Sequence, residues 1–460
     1  MADYFQRQED LEKKYGPQSV VIYQCGGFYE VYEEKSCACA TPESPGPVAE
    51  GGSTRACGAC GCVAPPAAPI GKASNVKDLW NVAQPSKNRW WMVGFPFGNA
   101  AAFQRNLGVL IRNGWTVAVY EQRDVEPASG RLATKQEKTR VLRRIYSSGT
   151  CFGDSGIVDD DIGRTRGRTS RTTMAMYFNK CMTDPMFCGP QGGPPTIHYE
   201  IGIAIIEIER GVTSCGSVFT TDRDRSLPFA RLRELLSEHE PTELLIVSQG
   251  IPASQVATVL RQKGVVLPDS RRLVVRALNS KSVLTNRQAA VFKKVFACGK
   301  VSGIPIAQRL GIACDHCAAT ALSELLLFID DHDPSLVRNL LAPSVLLDGR
   351  RLIVHTTALR QLNILAPRDG RFASHDGGPA SLIDVVDRCV SLEGKKLLRE
   401  RLCRPSAQPA EIRERLDRVS ALMGHDSAGV PAYLKHLKGL GKLVGRVRGE
   451  RLRYSHLPLL

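Results

Sequence analysis

Short runs of β-branched and aromatic residues alternate with amphipathic stretches along most of this chain, and this alternation constrains the fold more than any other feature. The runs predict buried strands at residues 19–23, 116–120, 201–208, 218–221 and 243–248. Helical spacing of apolar residues predicts helices at 101–113, 227–238, 321–331, 382–402 and 410–423. We therefore expect sheets flanked by helices before about residue 320 and a mostly helical part after it.

Size and charge narrow the class of protein further. The length of 460 residues fits about three domains of roughly 100–200 residues each. The net charge of +15 favours a polyanionic partner, but charge alone does not separate nucleic acid from an acidic membrane surface. No long apolar run predicts a membrane span, and the N-terminus lacks the features of a secretory signal. The 15 cysteines are therefore expected in a reducing, intracellular compartment, nuclear or mitochondrial if the source is eukaryotic.

Two segments are expected to lie outside the packed cores. Residues 36–75 are rich in Pro, Gly, Ala, Ser and Cys, which predicts a disordered insert, and residues 153–198 are predicted to form a loop. The insert contains cysteines at spacings that can bind zinc, namely Cys37, Cys39, Cys57, Cys60 and Cys62. A disordered insert without metal is the preferred interpretation, and a small zinc knuckle stays open.

The tripeptide Phe28-Tyr29-Glu30, preceded by Gly26 and Gly27, is the candidate binding element. A mispaired step in a DNA duplex stacks poorly and bends easily, so an aromatic wedge unstacks it at a lower cost than a paired step. On an extended segment Phe28 and Glu30 point the same way, which places a hydrogen-bonding side chain beside the wedge. The glycines would let the backbone approach the groove. A phenylalanine on a strand is more often a core residue, so the tripeptide by itself decides nothing.

Four motifs in order resemble the mismatch-binding domain of the MutS family. They are VVIYQCGGFYEVY at 20–32, MVGFP at 92–96, AVYEQ at 118–122 and RRIYSSGT at 143–150. Residues 201–248 resemble the family's ribonuclease-H-like connector domain, and residues 358–364 and 381–402 resemble the start of its helical core domain. The resemblance implies a mixed α/β mismatch-binding domain at 1–150, an α/β connector at 151–318 and a truncated helical core at 319–460.

The same resemblance implies roles for individual residues. Phe28 would be the stacking wedge and Glu30 would bond the displaced base, with Gly26 and Gly27 close to the groove. Within the basic strip 131–144, Arg140, Arg143 and Arg144 are expected to contact phosphates, although a solvated face is an equal alternative for each of them. The implied partner is duplex DNA with mismatches or small loops, bound by a homodimer or heterodimer.

The chain departs from the family pattern in three respects. Family members carry a C-terminal ATPase domain that uses ATP and Mg²⁺, whereas no phosphate-loop motif occurs here, so no cofactor is expected for this chain. Residues 36–75 stand where the family has a helix and a short strand, and we expect both to be lost. Gly27 and Ser148 stand where many relatives have Asp and Pro.

Other residue groups suggest alternatives. Glu207, Glu209 and Asp222 suggest a nuclease, which the lack of a clear carboxylate set disfavours. Cys314 and Cys317 have CxxC spacing without a second pair nearby, which predicts a buried structural pair rather than a zinc site. The alternatives to mismatch binding are a protein-interaction module that has lost DNA binding and a general basic nucleic-acid-binding protein.

Overall fold

The computed structural model divides the chain into two compact units, Met1–Asp159 and Asp160–Leu460. It describes residues 2–34, 72–81, 86–87, 90–124, 138–151, 172–182, 197–221, 227–239, 241–268, 273–278, 285–296, 304–346, 351–352, 354, 356–364, 381–423, 429–436, 440, 443–444 and 447. Within these residues, no helix is both long enough and apolar enough to cross a membrane. Both units contain a mixed sheet with helices packed on it, which confirms the predicted α/β class.

The first unit is built on a six-stranded sheet with the order β3-β4-β2-β1-β5-β6. Its strands are β1 (Ser19–Cys25), β2 (Phe28–Glu34), β3 (Ser86–Lys87), β4 (Trp90–Pro96), β5 (Thr116–Asp124) and β6 (Lys138–Tyr146). Its helices are α1 (Ala2–Tyr15), α2 (Lys72–Trp80) and α3 (Ala100–Arg112). The central strand β1 pairs antiparallel with β2 and parallel with β5, so the hairpin that carries the candidate wedge lies in the middle of the sheet.

Both faces of this sheet are covered. Val20 and Ile22 of β1 belong to the core cluster that α2 and α3 close with Trp80 and Leu110. On the opposite face α1 inserts Tyr4, which is 0% exposed and whose hydroxyl donates to the Val21 carbonyl at 3.0 Å. Strands that are covered on both faces show continuous apolar runs rather than alternation, which explains why residues 19–23 predicted a strand correctly.

The expected disorder of residues 36–75 is wrong at its C-terminal end. Helix α2 begins at Lys72, and Ala73 and Val76 are buried beneath the first sheet. A short strand, β3, follows α2 at Ser86–Lys87, and whether a further helix or strand is lost within residues 36–71 stays a prediction. The spacing of Ala73, Val76 and Trp80 is helical, but the Pro- and Gly-rich residues before them masked this short pattern. Residues 36–71, including the five clustered cysteines, lie outside the described residues.

The second unit has a six-stranded sheet with the order β11-β10-β7-β8-β9-β12. Its strands are β7 (Thr172–Met182), β8 (Ile197–Glu207), β9 (Val212–Thr221), β10 (Glu243–Gln249), β11 (Leu273–Ala277) and β12 (Ser344–Val345). Strands β7, β8 and β9 form an antiparallel meander, while β10 and β11 add in parallel beside β7. The helices around them are α4 (Leu227–His239), α5 (Ala253–Gln262), α6 (Thr285–Val295), α7 (Ile306–Arg309) and α8 (His316–His332).

The predicted loop at residues 153–198 is wrong at residues 172–182, which form the strand at the centre of this sheet, and at residues 197–198, which begin β8. The rest of that segment lies outside the described residues. Residues 172–178 of β7 are all buried, with Met174, Met176 and Phe178 in the core. The apolar run in β7 is short and methionine-rich, and the polar residues on either side dominated the composition of the window. Pairing of β7 with β8 on one side and β10 on the other stabilises the strand conformation, which the local sequence alone does not.

Helix α8 packs against the strands of the second sheet. The carbonyl oxygen of Cys317 lies so close to Gly202 of β8 that a Cβ there would meet it at 1.9 Å. The predicted start of a helical core at residue 319 falls inside this helix, whose buried side chains lie against β7 and β8. Residues up to His332 therefore pack with the sheet.

The remaining helices are α9 (Thr356–Gln361), α10 (Leu382–Val386), α11 (Leu392–Cys403), α12 (Pro409–Met423) and α13 (Val430–His436). The single long helix predicted over residues 382–402 is wrong, because α10 and α11 are separate. Asp387 Oδ1 accepts from the Cys389 amide at 2.9 Å, and Ser391 Oγ accepts from the Gly394 amide at 3.1 Å. The bond from Asp387 competes with continuation of α10, and the bond from Ser391 caps the N-terminus of α11.

Candidate nucleic-acid interface

Phe28 lies at the exposed end of the β1–β2 hairpin. It is the first residue of β2, follows the turn at Gly26 and Gly27, and is 51% exposed. Gly26 has φ +59°, a left-handed conformation that glycine adopts without the penalty other residues meet, whereas Gly27 does not have a positive φ. The backbone of this turn is held to the next loop by the Phe97 amide, which donates to the Gly27 carbonyl at 2.7 Å. A large apolar side chain is thus presented to solvent from a fixed backbone.

Strand alternation separates the three residues of the tripeptide. Phe28 and Glu30 share one face of β2, and Tyr29 points into the core on the other, where it is 3% exposed. Glu30 is half-buried, and its Oε2 accepts a hydrogen bond from the Tyr32 hydroxyl. Across the sheet from Glu30 stands Gly94, where a Cβ would come within 2.5 Å of the Tyr29 carbonyl oxygen and 3.1 Å of the Glu30 Cγ. Only glycine lets β4 approach the candidate site this closely.

Tyr29 joins β2 to β5 and β6 through its hydroxyl group. Its hydroxyl donates to Glu121 Oε1 at 2.6 Å, and Arg143 Nη1 donates to the same oxygen at 2.5 Å. Burial, followed by the hydrogen bond to Glu121, raises the pKa of Tyr29 well above its ordinary value. The phenol therefore stays protonated and acts as a donor.

The three predicted basic residues lie on β6, and each contacts other parts of the first unit. Arg140 Nε donates to the Gln24 carbonyl at 3.4 Å, and its guanidinium lies 5.2 Å from the centre of the Tyr23 ring. Arg144 Nη2 donates to the Thr150 carbonyl at 3.4 Å. The register of β5 and β6 shifts between Val119 and Tyr120, opposite Arg143. Contact of these cations with phosphates stays a prediction, and Arg131 and Lys135 lie outside the described residues.

Phe97 was not predicted as part of the site. It is 42% exposed, its amide binds the Gly27 carbonyl, and its ring packs edge-on against Tyr29 with 5.2 Å between the ring centres. A second exposed phenylalanine therefore lies at the end of the sheet where Phe28 emerges. The signal available in the sequence was an aromatic residue between Pro96 and Gly98, which marks a turn directly after a strand.

The cysteine and carboxylate alternatives have different surroundings. Cys317 is buried but Cys314 is exposed, so the expectation of a buried pair is wrong: the short loop before α8 keeps only the second thiol beneath the sheet. Burial, followed by the charge of Glu200, raises the pKa of Cys317 to about 12.

Glu207 pairs with Arg210 at 3.5 Å and with Lys396 at 3.7 Å, and Asp222 is outside the described residues. Within the described part of the chain, no group of three or more His, Cys, Asp or Glu side chains could hold a metal ion.

Comparison with known proteins gives the same family throughout. Residues 357–459 match the family model described as MutS domain III. The chain is 20% identical to a DNA mismatch repair protein mutS homologue of Acanthamoeba polyphaga mimivirus, over 96% of this chain and 36% of that protein. It is 25% identical to the DNA mismatch repair protein MutS of Chlorobium phaeovibrioides, over 77% of this chain and 34% of that protein. The corresponding protein of Thermosynechococcus vestitus is 22% identical, over 96% of this chain and 41% of its own length. The chain thus spans well under half the length of these relatives.

Proposed function

Because the chain belongs to the MutS family of DNA mismatch-repair proteins, we propose that its first unit binds duplex DNA at mispaired or otherwise distorted steps. The observation that carries this proposal is the position of Phe28, which is 51% exposed at the end of the hairpin with Glu30 on the same face of the strand. The exposed Phe97 lies beside the same turn, and its amide donates to the Gly27 carbonyl, so two exposed aromatic rings at this end of the sheet support contact with a partner.

The energetics favour a distorted step over an intact one. Insertion of Phe28 into the minor groove would unstack one base step, which costs a few kcal/mol and costs less at a mispair. Stacking of the ring on a base returns about 1–3 kcal/mol. The net free energy of inserting the ring is therefore close to zero on paired DNA. It is favourable at a mispaired step, where the base stacking is already weak.

Glu30 would add a hydrogen bond to the displaced base. A carboxylate close to phosphates is repelled by them, so Glu30 also weakens binding to intact DNA, where no displaced base compensates. Arg140, Arg143 and Arg144 would supply phosphate contacts that position the protein without reading sequence. We therefore expect the affinity for any DNA to depend on salt concentration, and the preference for mismatched DNA to depend on Phe28 and Glu30.

The second unit would connect the DNA-binding unit to the rest of a repair complex. The proposal of a ribonuclease-H-like connector is supported by the antiparallel meander β7-β8-β9 with β10 and β11 added in parallel. The proposal of a core domain is supported by the domain III match over residues 357–459. The family resemblance also leads us to propose a homodimer or heterodimer, which sedimentation of the purified chain, alone and with DNA, would test.

A titration of three duplexes at two salt concentrations tests the function. The duplexes are a G·T mismatch, a small unpaired loop and a fully paired control. We expect the mismatch and loop to bind more tightly, and we expect the variant Phe28→Ala to lose about tenfold of that preference. The matched control is Phe219→Ala, which removes a 62% exposed phenylalanine from β9 in the second unit and should leave the preference unchanged. Equal affinities of the unaltered protein for mismatched and paired duplexes would exclude the wedge, and no binding at all would favour the protein-interaction module.

A further inference from the structure

The carboxylate of Glu30 is held on one side by a neighbouring phenol. Tyr32 lies two residues further along β2 on the same face, and its hydroxyl donates to Glu30 Oε2. The sulfur of Cys25 lies 3.4 Å from the same hydroxyl oxygen. The phenol carries a single proton, and in its hydrogen bond to Glu30 that proton points towards Oε2. The second oxygen, Oε1, stays available as an acceptor.

The Tyr32 hydroxyl is held in position by packing of the Tyr32 ring on α1. The Tyr32 ring packs edge-on against Tyr4 at 5.3 Å between the ring centres, and the Tyr32 amide donates to the Tyr4 hydroxyl at 3.1 Å. Tyr4 is fully buried and is itself bound to the Val21 carbonyl. Helix α1 and strand β1 therefore hold Tyr32 in place before any ligand arrives.

The protonation state of this phenol supports the arrangement. Burial, followed by the neighbouring Cys25 sulfur and Glu30 carboxylate, raises the pKa of Tyr32 far above its ordinary value. Tyr32 therefore remains a proton donor at any pH at which the protein would bind DNA.

We propose that Tyr32 is a positioning residue for base recognition: its hydroxyl fixes Oε2 of Glu30 and thereby presents Oε1 beside Phe28 as an acceptor for an N–H group of the displaced base. This inference rests on the proposed function. Each of the four DNA bases carries at least one N–H donor on its pairing edge, so a fixed acceptor can bond any displaced base without reading sequence. A carboxylate that is already oriented loses less side-chain freedom on binding than one that is free to rotate.

A double-mutant cycle tests the proposal. The measured quantity is the ratio of the dissociation constants for paired and mismatched duplexes in the unaltered protein, Tyr32→Phe, Glu30→Gln and the double variant. Tyr32→Phe keeps the ring and its packing on Tyr4, and we expect it to lower the ratio about fivefold to tenfold with little change in affinity for paired DNA. In the Glu30→Gln background the same change should alter the ratio less than about twofold, because an amide whose oxygen is bonded to Tyr32 presents an NH2 group to the base instead of a second acceptor oxygen.

The matched control is Tyr23→Phe. Tyr23 belongs to the same aromatic cluster around Tyr4, but its hydroxyl donates to Asp3 at 2.9 Å and does not contact Glu30. Its removal should leave the ratio unchanged. A purely structural role for the aromatic cluster would instead make both hydroxyl deletions act alike.

The outcomes separate this inference from the proposed function. If Phe28→Ala abolishes the mismatch preference but Tyr32→Phe does not change it, or lowers it equally in both backgrounds, the role of Tyr32 is overturned and the wedge stands. If the unaltered protein shows no preference for mismatched over paired duplexes, both the role of Tyr32 and the proposed function are excluded. Should Tyr32→Phe unfold the unit, NMR of the Tyr32 hydroxyl proton replaces the cycle. A coupling between this proton and the ¹³C carboxyl of Glu30 that persists when mismatched duplex is bound supports the proposal, and its absence in the bound state overturns it.

Discussion

The Tyr29 hydroxyl and the Glu121 carboxylate are joined by a hydrogen bond of 2.6 Å that passes over the central strand β1. Tyr29 lies on β2 between the candidate wedge and its hydrogen-bonding partner, and Glu121 lies on β5. Arg143 of β6 donates to the same carboxylate oxygen. The residue next to Phe28 on β2 is thereby connected to β5 and β6 on the core face of the sheet.

The variant Tyr29→Phe tests this connection. Loss of the hydroxyl leaves the half-buried Glu121 with one donor fewer, and we expect the free energy of unfolding of the first unit to fall by about 1–2 kcal/mol. Chemical denaturation followed by tryptophan fluorescence measures the change. Tyr23→Phe is the control, since its hydroxyl bonds to Asp3, whose side chain is 59% exposed, and its removal should cost less. Equal losses in the two variants would contradict the role given to Glu121.

The close approach of β4 to β2 gives a second prediction. In Gly94→Ala the new Cβ would lie 2.5 Å from the Tyr29 carbonyl oxygen, so the strands must separate, and we expect a loss of about 1–3 kcal/mol. A lower melting temperature, together with faster amide exchange in β2, would show this. At Gly27 an added Cβ meets nothing within 4 Å and φ is not positive, so Gly27→Ala should leave the melting temperature nearly unchanged. A mild effect at Gly94 would mean that the sheet relaxes there at little cost.

The contact between α8 and the second sheet gives a third prediction. Gly202→Ala would bring a Cβ to 1.9 Å from the Cys317 carbonyl oxygen, so α8 must move away from β8. We expect faster hydrogen exchange in β8 and α8, measured by mass spectrometry, and a loss of stability of more than about 2 kcal/mol. Exchange in the β1–β2 hairpin serves as the internal control and should not change. Unaltered exchange in α8 would show that the helix is not held against Gly202.

Thiol chemistry gives a fourth prediction. Burial, followed by nearby carboxylates, raises the pKa of Cys215 and of Cys317 to about 12, whereas Cys314 is exposed. Because the thiolate is the reactive form, both buried thiols should resist alkylation near pH 8 in the folded protein. Peptide mapping after brief treatment with iodoacetamide should find Cys314 modified before Cys215 and Cys317. All three should react once the protein is unfolded, and rapid labelling of Cys317 in the folded protein would contradict its burial under the sheet.

Strands with continuous apolar runs were predictable, whereas strands recognisable only through their neighbours were not. Residues 19–23 and 243–248 correctly predicted β1 and β10. Both faces of each strand are buried, so each sequence contains a continuous apolar run. Strand β7 was missed because polar residues flank its methionine-rich run, and its place between β8 and β10 is set by pairing with segments distant in sequence. Helix α2 was missed for a related reason, since three buried side chains at helical spacing are a weak signal beside a Pro- and Gly-rich stretch.

The sequence by itself determined the α/β class, the resemblance to the MutS family and the order of the motifs around Phe28 and Glu30, because strand alternation and turn glycines act over a few residues. Only the tertiary structure decided that Phe28 is exposed while Tyr29 is anchored to Glu121, that Tyr32 holds Glu30, and that Phe97 lies beside the same turn. The anchor at Glu121 and the contact with Phe97 depend on strand register and on the close approach of β4 and β5, which join residues far apart in the chain. The bond from Tyr32 joins near neighbours, but its direction depends on the packing of Tyr32 against α1. The physical reason is that burial and hydrogen-bond partners are properties of the packed sheet, whereas propensity and periodicity are properties of a short segment.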